Sequence, residues 1–160
     1  SAYRVDVFCH STRLVWKGVG GTGFEFRDCF DCSVNGLEIY ADPTSTLTNG
    51  FSSIQDNATG EVTPSSNAFN NTSLIGNEVV VNAYAVDYTA ADANNDFMEF
   101  NSPIAKGYTG SALSIRGLQS HLCVITNPNF NGGNLDFTAR GGQYGIYATS
   151  EVSTRYFEVT

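Results

Sequence analysis

Positively charged residues are scarce in this chain and unevenly placed. Eight Lys and Arg face sixteen Asp and Glu, and none of the eight lies between Arg27 and Lys106. That stretch of 78 residues contains eleven acids, whereas residues 1–27 carry a net charge of +2 and residues 106–160 a net charge of +1. Because nucleic-acid binding depends on neutralising phosphates with Lys and Arg, the sequence excludes nucleic acid and anionic lipid surfaces as partners. An acidic middle with weakly basic ends fits cation binding or head-to-tail contact between copies.

Long apolar runs and helical periodicity are also missing. No run of 18 apolar residues exists, so no transmembrane helix and no membrane insertion are predicted. Short runs of β-branched and aromatic residues recur instead, separated by Gly, Asn, Asp and Pro. We therefore predict a single all-β domain over residues 1–160, an antiparallel Greek-key sandwich or barrel of about 10–12 short strands.

One segment is long and polar, and another is apolar on both sides. Residues 41–77 contain no Lys or Arg and many Ser, Thr and Asn, which predicts a long loop that serves binding or assembly, or is a glycosylated excursion. Asn57, Asn70 and Asn71 begin triplets that fit N-glycosylation acceptors. The run "EVVVNAYAVDY", residues 78–88, predicts a central strand that is covered on both faces.

Four cysteines suggest two disulfides in an oxidising compartment. The preferred pairing is Cys9 with Cys123 and Cys29 with Cys32, although three connectivities are open. Zinc is disfavoured because the second Cys-x-x-Cys pair is missing. Together with the sparse Lys and the polar segments, the cysteines favour an extracellular location or the surface of a cell or particle.

Residues that carry catalysis are few. Two histidines and the lack of Gly-x-Ser-x-Gly or His-Glu-x-x-His argue against a serine hydrolase or a metalloprotease. The closely spaced glycines of "LVWKGVGGTGFEF" precede a strand-like run, which predicts a Gly-rich hairpin rather than a phosphate-binding loop. Paired carboxylates from different strands leave no local signature, so a small glycoside hydrolase stays an alternative.

A cluster of oxygen side chains offers a candidate metal site. Asp92, Asn94 and Asp96 stand at alternate positions, which is the opening spacing of a calcium loop. Phe97 and Pro103 stand where an EF-hand has Gly and Glu, so the sequence excludes an EF-hand. A looser calcium site formed by Asp87, Asp92, Asn94 and Asp96 is one interpretation, and an Asx-rich turn is the other. No other cofactor is predicted.

The triplets Met98-Glu99-Phe100 and Leu135-Asp136-Phe137 are each followed by a Ser-x-Arg, which suggests a tandem repeat of residues 79–118 and 121–160. Within the second unit, "CVITNPNFNGGNLDF" with Phe130 and Gly132 as an aromatic-x-Gly corner, and Ser153 beyond it, resembles a βγ-crystallin Greek-key motif. The resemblance implies a stable extracellular scaffold without catalysis. The family's calcium-binding pattern is missing here, so the resemblance implies no calcium site.

These observations favour a secreted or surface-displayed, non-catalytic β-domain that acts by association, as a structural coat, fibre or adhesive subunit. Its partner is expected to be itself or another protein surface. The first alternative is a carbohydrate-binding module that recognises glycans, with or without calcium. The second alternative is the small glycoside hydrolase.

Overall fold

A computed structural model describes residues 2–55, 66–88, 94–116, 119–131, 144–149 and 157–160. Within these ranges the regular structure is β-strand. The strands are β1 Ala2–Tyr3, β2 Asp6–Trp16, β3 Thr22–Arg27, β4 Cys29–Phe30, β5 Cys32–Ala41, β6 Leu47–Gln55, β7 Ser66–Asn70, β8 Ser73–Tyr88, β9 Asn94–Asn101, β10 Ile104–Tyr108, β11 Ser111–Arg116, β12 Gln119–Thr126, β13 Asn129–Asn131, β14 Tyr144–Thr149 and β15 Phe157–Val159. This part of the chain contains no helix that could span a membrane.

Each strand pairs in parallel with the strand one coil further along the chain. On one face Cys32 pairs with Asn67, Asn67 with Met98, and Met98 with Cys123, so a coil takes between 25 and 35 residues. The chain therefore winds as a parallel β-solenoid. We number its coils by residues: coil 1 (2–27), coil 2 (28–55), coil 3 (66–88), coil 4 (94–116) and coil 5 (119–131 and 144–149), with β15 opening a sixth.

The solenoid has three faces, each a ladder of stacked strands. Face A stacks the start of β2, the start of β5, β7, β9, β12 and β15. Face B stacks the end of β2, the end of β5, the start of β8, β10 and β13. Face C stacks β3, β6, the end of β8, β11 and β14.

The predicted antiparallel Greek-key sandwich or barrel is wrong, and so is the βγ-crystallin resemblance. The all-β character is confirmed, but every described pairing is parallel. Parallel neighbours need a long connection between them, which an α/β protein supplies with a helix. Here the other two faces of the coil are that connection. The strand alternation that suggested hairpins is the same in both arrangements, because side chains alternate along any strand.

The core consists of apolar ladders that fill the interior of the coils. Val34, Phe69, Phe100 and Ile125 are in register on face A, and each is at most 1% exposed. From face C, Phe51 and Tyr84 reach this ladder, with ring centroids 5.8 Å apart for Phe51–Phe69 and 5.6 Å for Tyr84–Phe100. Burial of these stacked rings, together with the aliphatic core residues around them, stabilises the closed coils.

The corner between faces A and B repeats one local structure. An apolar residue, a ladder residue and a residue with positive φ follow one another in coils 2 to 5: Val34-Asn35-Gly36, Phe69-Asn70-Asn71, Phe100-Asn101-Ser102 and Ile125-Thr126-Asn127. The Asn70 side chain donates to Asn35 Oδ1 at 2.9 Å, and the Asn101 side chain donates to Asn70 Oδ1 at 2.8 Å. The polar ladder satisfies the amides of successive coils, and the positive φ turns the chain onto face B.

Several segments differ from their predicted role. Residues 47–55 and 66–77 of the segment predicted as a loop form β6, β7 and the start of β8, while residues 56–65 lie outside the described residues. The Gly-rich stretch connects face B to face C at residues 17–21 rather than closing a hairpin, because β2 pairs with β5 and β3 with β6. The Met98-Glu99-Phe100 triplet lies in β9 on face A, whereas Leu135-Asp136-Phe137 lies outside the described residues, so the tandem repeat stays a prediction.

Candidate functional site

Coil 1 is the open end of the described solenoid. Strands β2 and β3 each pair with one strand only, in coil 2, so one edge of each has no strand partner among the described residues. Unpaired strand edges present rows of N–H and C=O groups that can pair with a further chain. The edge is therefore a candidate site of association.

Exposed apolar side chains concentrate on the same coil. Six large apolar side chains in the described residues are exposed, and four of them belong to coil 1: Val5, Phe8, Val15 and Val19. Val19 is 90% exposed and Phe8 is 68% exposed, whereas the other two, Val81 and Ile104, are 47% and 36% exposed. Apolar side chains gathered at one end of a domain mark a surface that gains free energy when it is covered.

Phe8 stands where the other coils carry the polar corner ladder. It pairs with Asn35, the first member of that ladder, but cannot extend it because it has no amide. A register shift follows between Phe8 and Thr12, which adds two residues to coil 1 at this corner. Coil 1 therefore replaces a polar ladder residue with an exposed phenylalanine and a bulge.

Charge also distinguishes this end of the described solenoid. Coil 1 contains Arg4, Arg13, Lys17 and Arg27 against two acids, and coil 2 contains four acids and no Lys or Arg. The Arg13 and Arg27 side chains bind Glu38 and Glu25, and the Arg13 guanidinium lies 5.6 Å from the centroid of the Tyr40 ring. Coil 1 thus presents a net positive end to an approaching partner.

A second candidate surface is a polar depression of about 280 Å³ on face A. Three carboxylates and one guanidinium contribute to its wall; the lining residues are Arg4, Asp6, Asp31, Cys32, Ser33, Asn67, Ala68 and Glu99. Ser33 Oγ donates to Asp6 Oδ1 at 2.6 Å, and Asn101 Nδ2 donates to Glu99 Oε2 at 3.2 Å. A polyhydroxylated ligand could donate hydrogen bonds to these carboxylates and accept them from the arginine beside them.

A larger depression of about 460 Å³ on face B is lined by Thr12, Arg13, Gly36, Glu38 and Ser73. Its two charges bind each other, and Ser73 Oγ donates to Glu38 Oε2 at 3.4 Å. Because these polar groups bind one another, the face B depression offers a ligand fewer hydrogen-bonding groups than the face A depression does.

The structure separates one predicted cysteine pair and brings the other together. Cys9 lies in coil 1 and Cys123 in coil 5, four steps away along the solenoid, which is about 19 Å at the usual strand spacing. A disulfide requires Cα atoms less than about 7 Å apart. Cys29 and Cys32 are close to each other, and their disulfide stays a prediction. Burial, and then the neighbouring Cys32, raise the pKa of Cys29, which disfavours a reactive thiolate.

The predicted calcium residues lie at the junction of coils 3 and 4. Asp87 is the second-last residue of β8, Asn94 and Asp96 lie at the start of β9, and Asp92 lies outside the described residues. Side chains in this junction are outside the described part as well, so the calcium site stays a prediction. Elsewhere in the described residues, no group of three or more His, Cys, Asp or Glu is arranged to hold a metal ion.

The glycosylation candidates have different surroundings. Asn57 lies outside the described residues, and Asn71 is exposed at the corner of coil 3. The Asn70 amide nitrogen donates to Asn35 within the corner ladder, so a glycan on that nitrogen would disturb the ladder. Asn71 is therefore the more accessible of the two described acceptors.

Sequence reasoning missed the exposed residues of coil 1 because single exposed apolar residues have no signature. The signal that could have located them is the apolar-Asn corner, which recurs at Asn35, Asn70 and Asn101 and is replaced by Phe8 in coil 1.

Comparison of the chain with family models, with curated proteins and with solved structures finds no match.

Proposed function

We propose that this protein is a non-catalytic structural subunit, secreted or displayed on a surface, that assembles through coil 1. The observation that carries the proposal is the coincidence of Val5, Phe8, Val15 and Val19, all exposed, with strand edges that have no partner in the described residues. Covering such an edge adds backbone hydrogen bonds, and covering its apolar side chains adds hydrophobic free energy.

The interior of the solenoid supports a structural role. Its aromatic side chains pack against one another, and the amides of the polar corner ladder hydrogen-bond to each other. The described side chains of these two ladders therefore use their contacts within the molecule. The carboxylates of Glu38 and Glu25 form ion pairs with Arg13 and Arg27. Among the described residues, the strand edges of coil 1 remain open to a partner.

Sedimentation velocity and light scattering over a concentration series, at low and at physiological salt, test the proposal. We expect assemblies that grow with protein concentration and that weaken when Val5 and Val19 are replaced by Ser. The matched control replaces Val81 and Ile104 by Ser, because these residues are also exposed and apolar but lie in coils 3 and 4. A strict monomer under every condition contradicts the proposal.

A second candidate function is carbohydrate binding at the face A depression. The specific observation is that Asp6, Asp31 and Glu99 share one cavity wall with Arg4. A glycan array with wild type and with Asp31→Asn, repeated with and without chelator, tests it. Binding that falls in the variant supports the depression, and a fall in chelator adds a metal. Release of free sugar from a bound glycan would favour the glycoside hydrolase instead, and no binding removes this candidate.

A further inference from the structure

The outward side of face A carries two parallel rows of side chains. The register places Asp6, Ser33, Ala68 and Glu99 in the first row, and Phe8, Asn35, Asn70 and Asn101 in the second. The rows lie two residues apart along each strand, which is about 7 Å, and each row crosses coils 1 to 4 in three strand spacings, which is about 14 Å. We call these residues the face A strip.

The middle of the first row consists of small side chains. All four members of the row line the face A depression, with Ser33 and Ala68 between the carboxylates of Asp6 and Glu99. Both small side chains are partly exposed. A ligand that lies along the strip can therefore approach the backbone of β5 and β7 between two carboxylates that accept hydrogen bonds.

One directed series of hydrogen bonds holds the polar side chains of the face A strip. Asn101 Nδ2 donates to Asn70 Oδ1 at 2.8 Å, and Asn70 Nδ2 donates to Asn35 Oδ1 at 2.9 Å. The series continues from Asn35 Nδ2 to Ser33 Oγ at 3.1 Å and from Ser33 Oγ to Asp6 Oδ1 at 2.6 Å. Because these groups are already fixed, a ligand does not have to order them on binding. An amide has two N–H donors, so the series leaves the second N–H of Asn70 for a ligand oxygen.

An exposed aromatic ring stands at the coil 1 end of the second row. Phe8 is 68% exposed and pairs with Asn35, the first amide of the row. A sugar ring presents C–H groups on its faces and hydroxyl groups at its edge. An aromatic ring next to fixed donors and acceptors matches both, because it covers the C–H face while the polar side chains bind the hydroxyls.

Length and charge narrow the class of sugar. At about 14 Å the strip is longer than one sugar ring, so it fits a linear chain of several sugars better than a monosaccharide. Three carboxylates and one guanidinium line the depression, and no Lys or Arg lies between Arg27 and Lys106. A chain of acidic sugars would therefore be repelled, whereas a neutral chain would not.

We propose that the face A strip binds a linear, neutral oligosaccharide that lies along the solenoid axis, with one sugar ring stacked on Phe8. Hydroxyls of the chain accept the N–H of Asn70 and donate to the carboxylates of Asp6 and Glu99. The inference rests on carbohydrate binding at the face A depression, the second candidate function, and adds the class of ligand, its direction and the aromatic contact.

Fluorescence polarisation of labelled sugars measures the binding. The probes are linear tetrasaccharides of glucose, mannose and N-acetylglucosamine, with tetragalacturonate as the acidic chain and the three unlabelled monosaccharides as competitors. Phe8 also belongs to the coil 1 surface, so the protein is kept at a concentration at which sedimentation velocity shows a monomer. Near-UV circular dichroism checks that each variant is folded.

Two variants test the strip, one from each row. Ala68→Lys places a long side chain at the centre of the first row, and its matched control is Val81→Lys, at an exposed position of the same coil. Phe8→Ala removes the ring from the second row, and its matched control is Val15→Ala, at an exposed position on face B of coil 1.

We expect at least one neutral tetrasaccharide to bind wild type at least about tenfold more tightly than its monosaccharide or tetragalacturonate does. Ala68→Lys should weaken that binding at least about tenfold, because the side chain fills the strip. Phe8→Ala should weaken it about three- to tenfold, because it removes one stacked ring. The two controls should bind like wild type.

Other results overturn the inference in distinguishable ways. If Asp31→Asn weakens binding but Ala68→Lys or Phe8→Ala does not, the depression binds sugar without the strip, so the inference fails while the second candidate function stands. The inference also fails if a monosaccharide or tetragalacturonate binds as tightly as the neutral chains. If no sugar binds, the inference and carbohydrate binding fall together, and assembly through coil 1 is still judged by its own sedimentation test.

Discussion

Coil 1 and coil 3 are built from the same kind of strands, yet they use apolar residues in opposite ways. In coil 3, Phe69 and Tyr84 are fully buried, and strands on both sides cover the coil. In coil 1, Phe8 and Val15 are exposed, and described strands cover one side only. The difference teaches that an apolar side chain stabilises the solenoid where it points into a coil with neighbours on both sides, and remains available for contact where it points outward on an end coil of the described stack.

The largest expected effect is the difference in stability between two variants that each lose one phenylalanine ring, one in coil 3 and one in coil 1. Phe69→Ala removes a ring that stacks on Phe100 at 5.4 Å inside the core, and we expect it to lower the free energy of unfolding by about 3–5 kcal/mol. Phe8→Ala should change it by less than about 0.5 kcal/mol, because that ring is exposed. Urea titration of both variants measures the contrast. Equal losses would mean that Phe8 is part of the core.

A smaller effect is expected where coil 2 meets the bulge of coil 1. Gly36 has a φ of 75°, and a Cβ there would lie 2.6 Å from the carbonyl oxygen of Cys9. Gly36→Ala should therefore cost about 2–3 kcal/mol, from the left-handed backbone and the clash together. The control is Ser102→Ala at the equivalent corner of coil 4, where a side chain is already accommodated with a φ of 51°. Thermal or urea unfolding that treats the two variants alike would contradict the role of the bulge.

The smallest expected effect concerns the polar group inside coil 3. Tyr84 OH donates to the carbonyl oxygen of Thr72 at 3.0 Å, and burial raises the pKa of this phenol well above its ordinary value. Tyr84→Phe should cost about 1–2 kcal/mol at pH 8.

The pH dependence of the same variant has a defined sign. The unfolded phenol ionises near its ordinary pKa of about 10 while the folded one stays neutral, so its contribution is complete below pH 10 and is lost as pH rises above it. Between pH 10 and 11 wild type should lose about 1 kcal/mol more stability than Tyr84→Phe does, because the unfolded phenol is only half ionised at pH 10. Tyr40→Phe, on the outward side of face B, is the control. Parallel pH profiles for wild type and Tyr84→Phe would show that the phenol ionises in the folded state.

Sequence reasoning recovered the all-β character of the chain but missed β6, β7 and the way in which the strands pair. Alternation in runs such as residues 32–41 and 78–88 is a property of each strand alone, and it survives any arrangement of neighbours. Parallel pairing depends on residues 25 to 35 positions apart, such as Asn35, Asn70 and Asn101, which become neighbours only in the folded chain. The Met98-Glu99-Phe100 triplet lies in β9, which belongs to the face A stack. The repeat that β9 shares with the other coils is defined by the Asn101-Ser102 corner at its end, not by the triplet.

The sequence predicts the net charge of the candidate site, but it does not predict which side chains are exposed there. The net positive charge of residues 1–27 and the expectation of head-to-tail contact both came from the sequence. The exposure of Phe8 and Val15 did not, because each sits in an alternating run that reads like any half-buried strand. Their outward direction exposes those side chains, and coil 1 adds a strand edge that has no partner among the described residues.

The unequal length of the coils has a consequence for how such a chain can change. Coils of 25 and 35 residues share one corner geometry and parallel pairing on face A, so the length of a coil can vary while the stacking stays the same. A whole coil, bounded by one corner asparagine and the next, is thus a unit that could be duplicated or lost while its neighbours close over the junction.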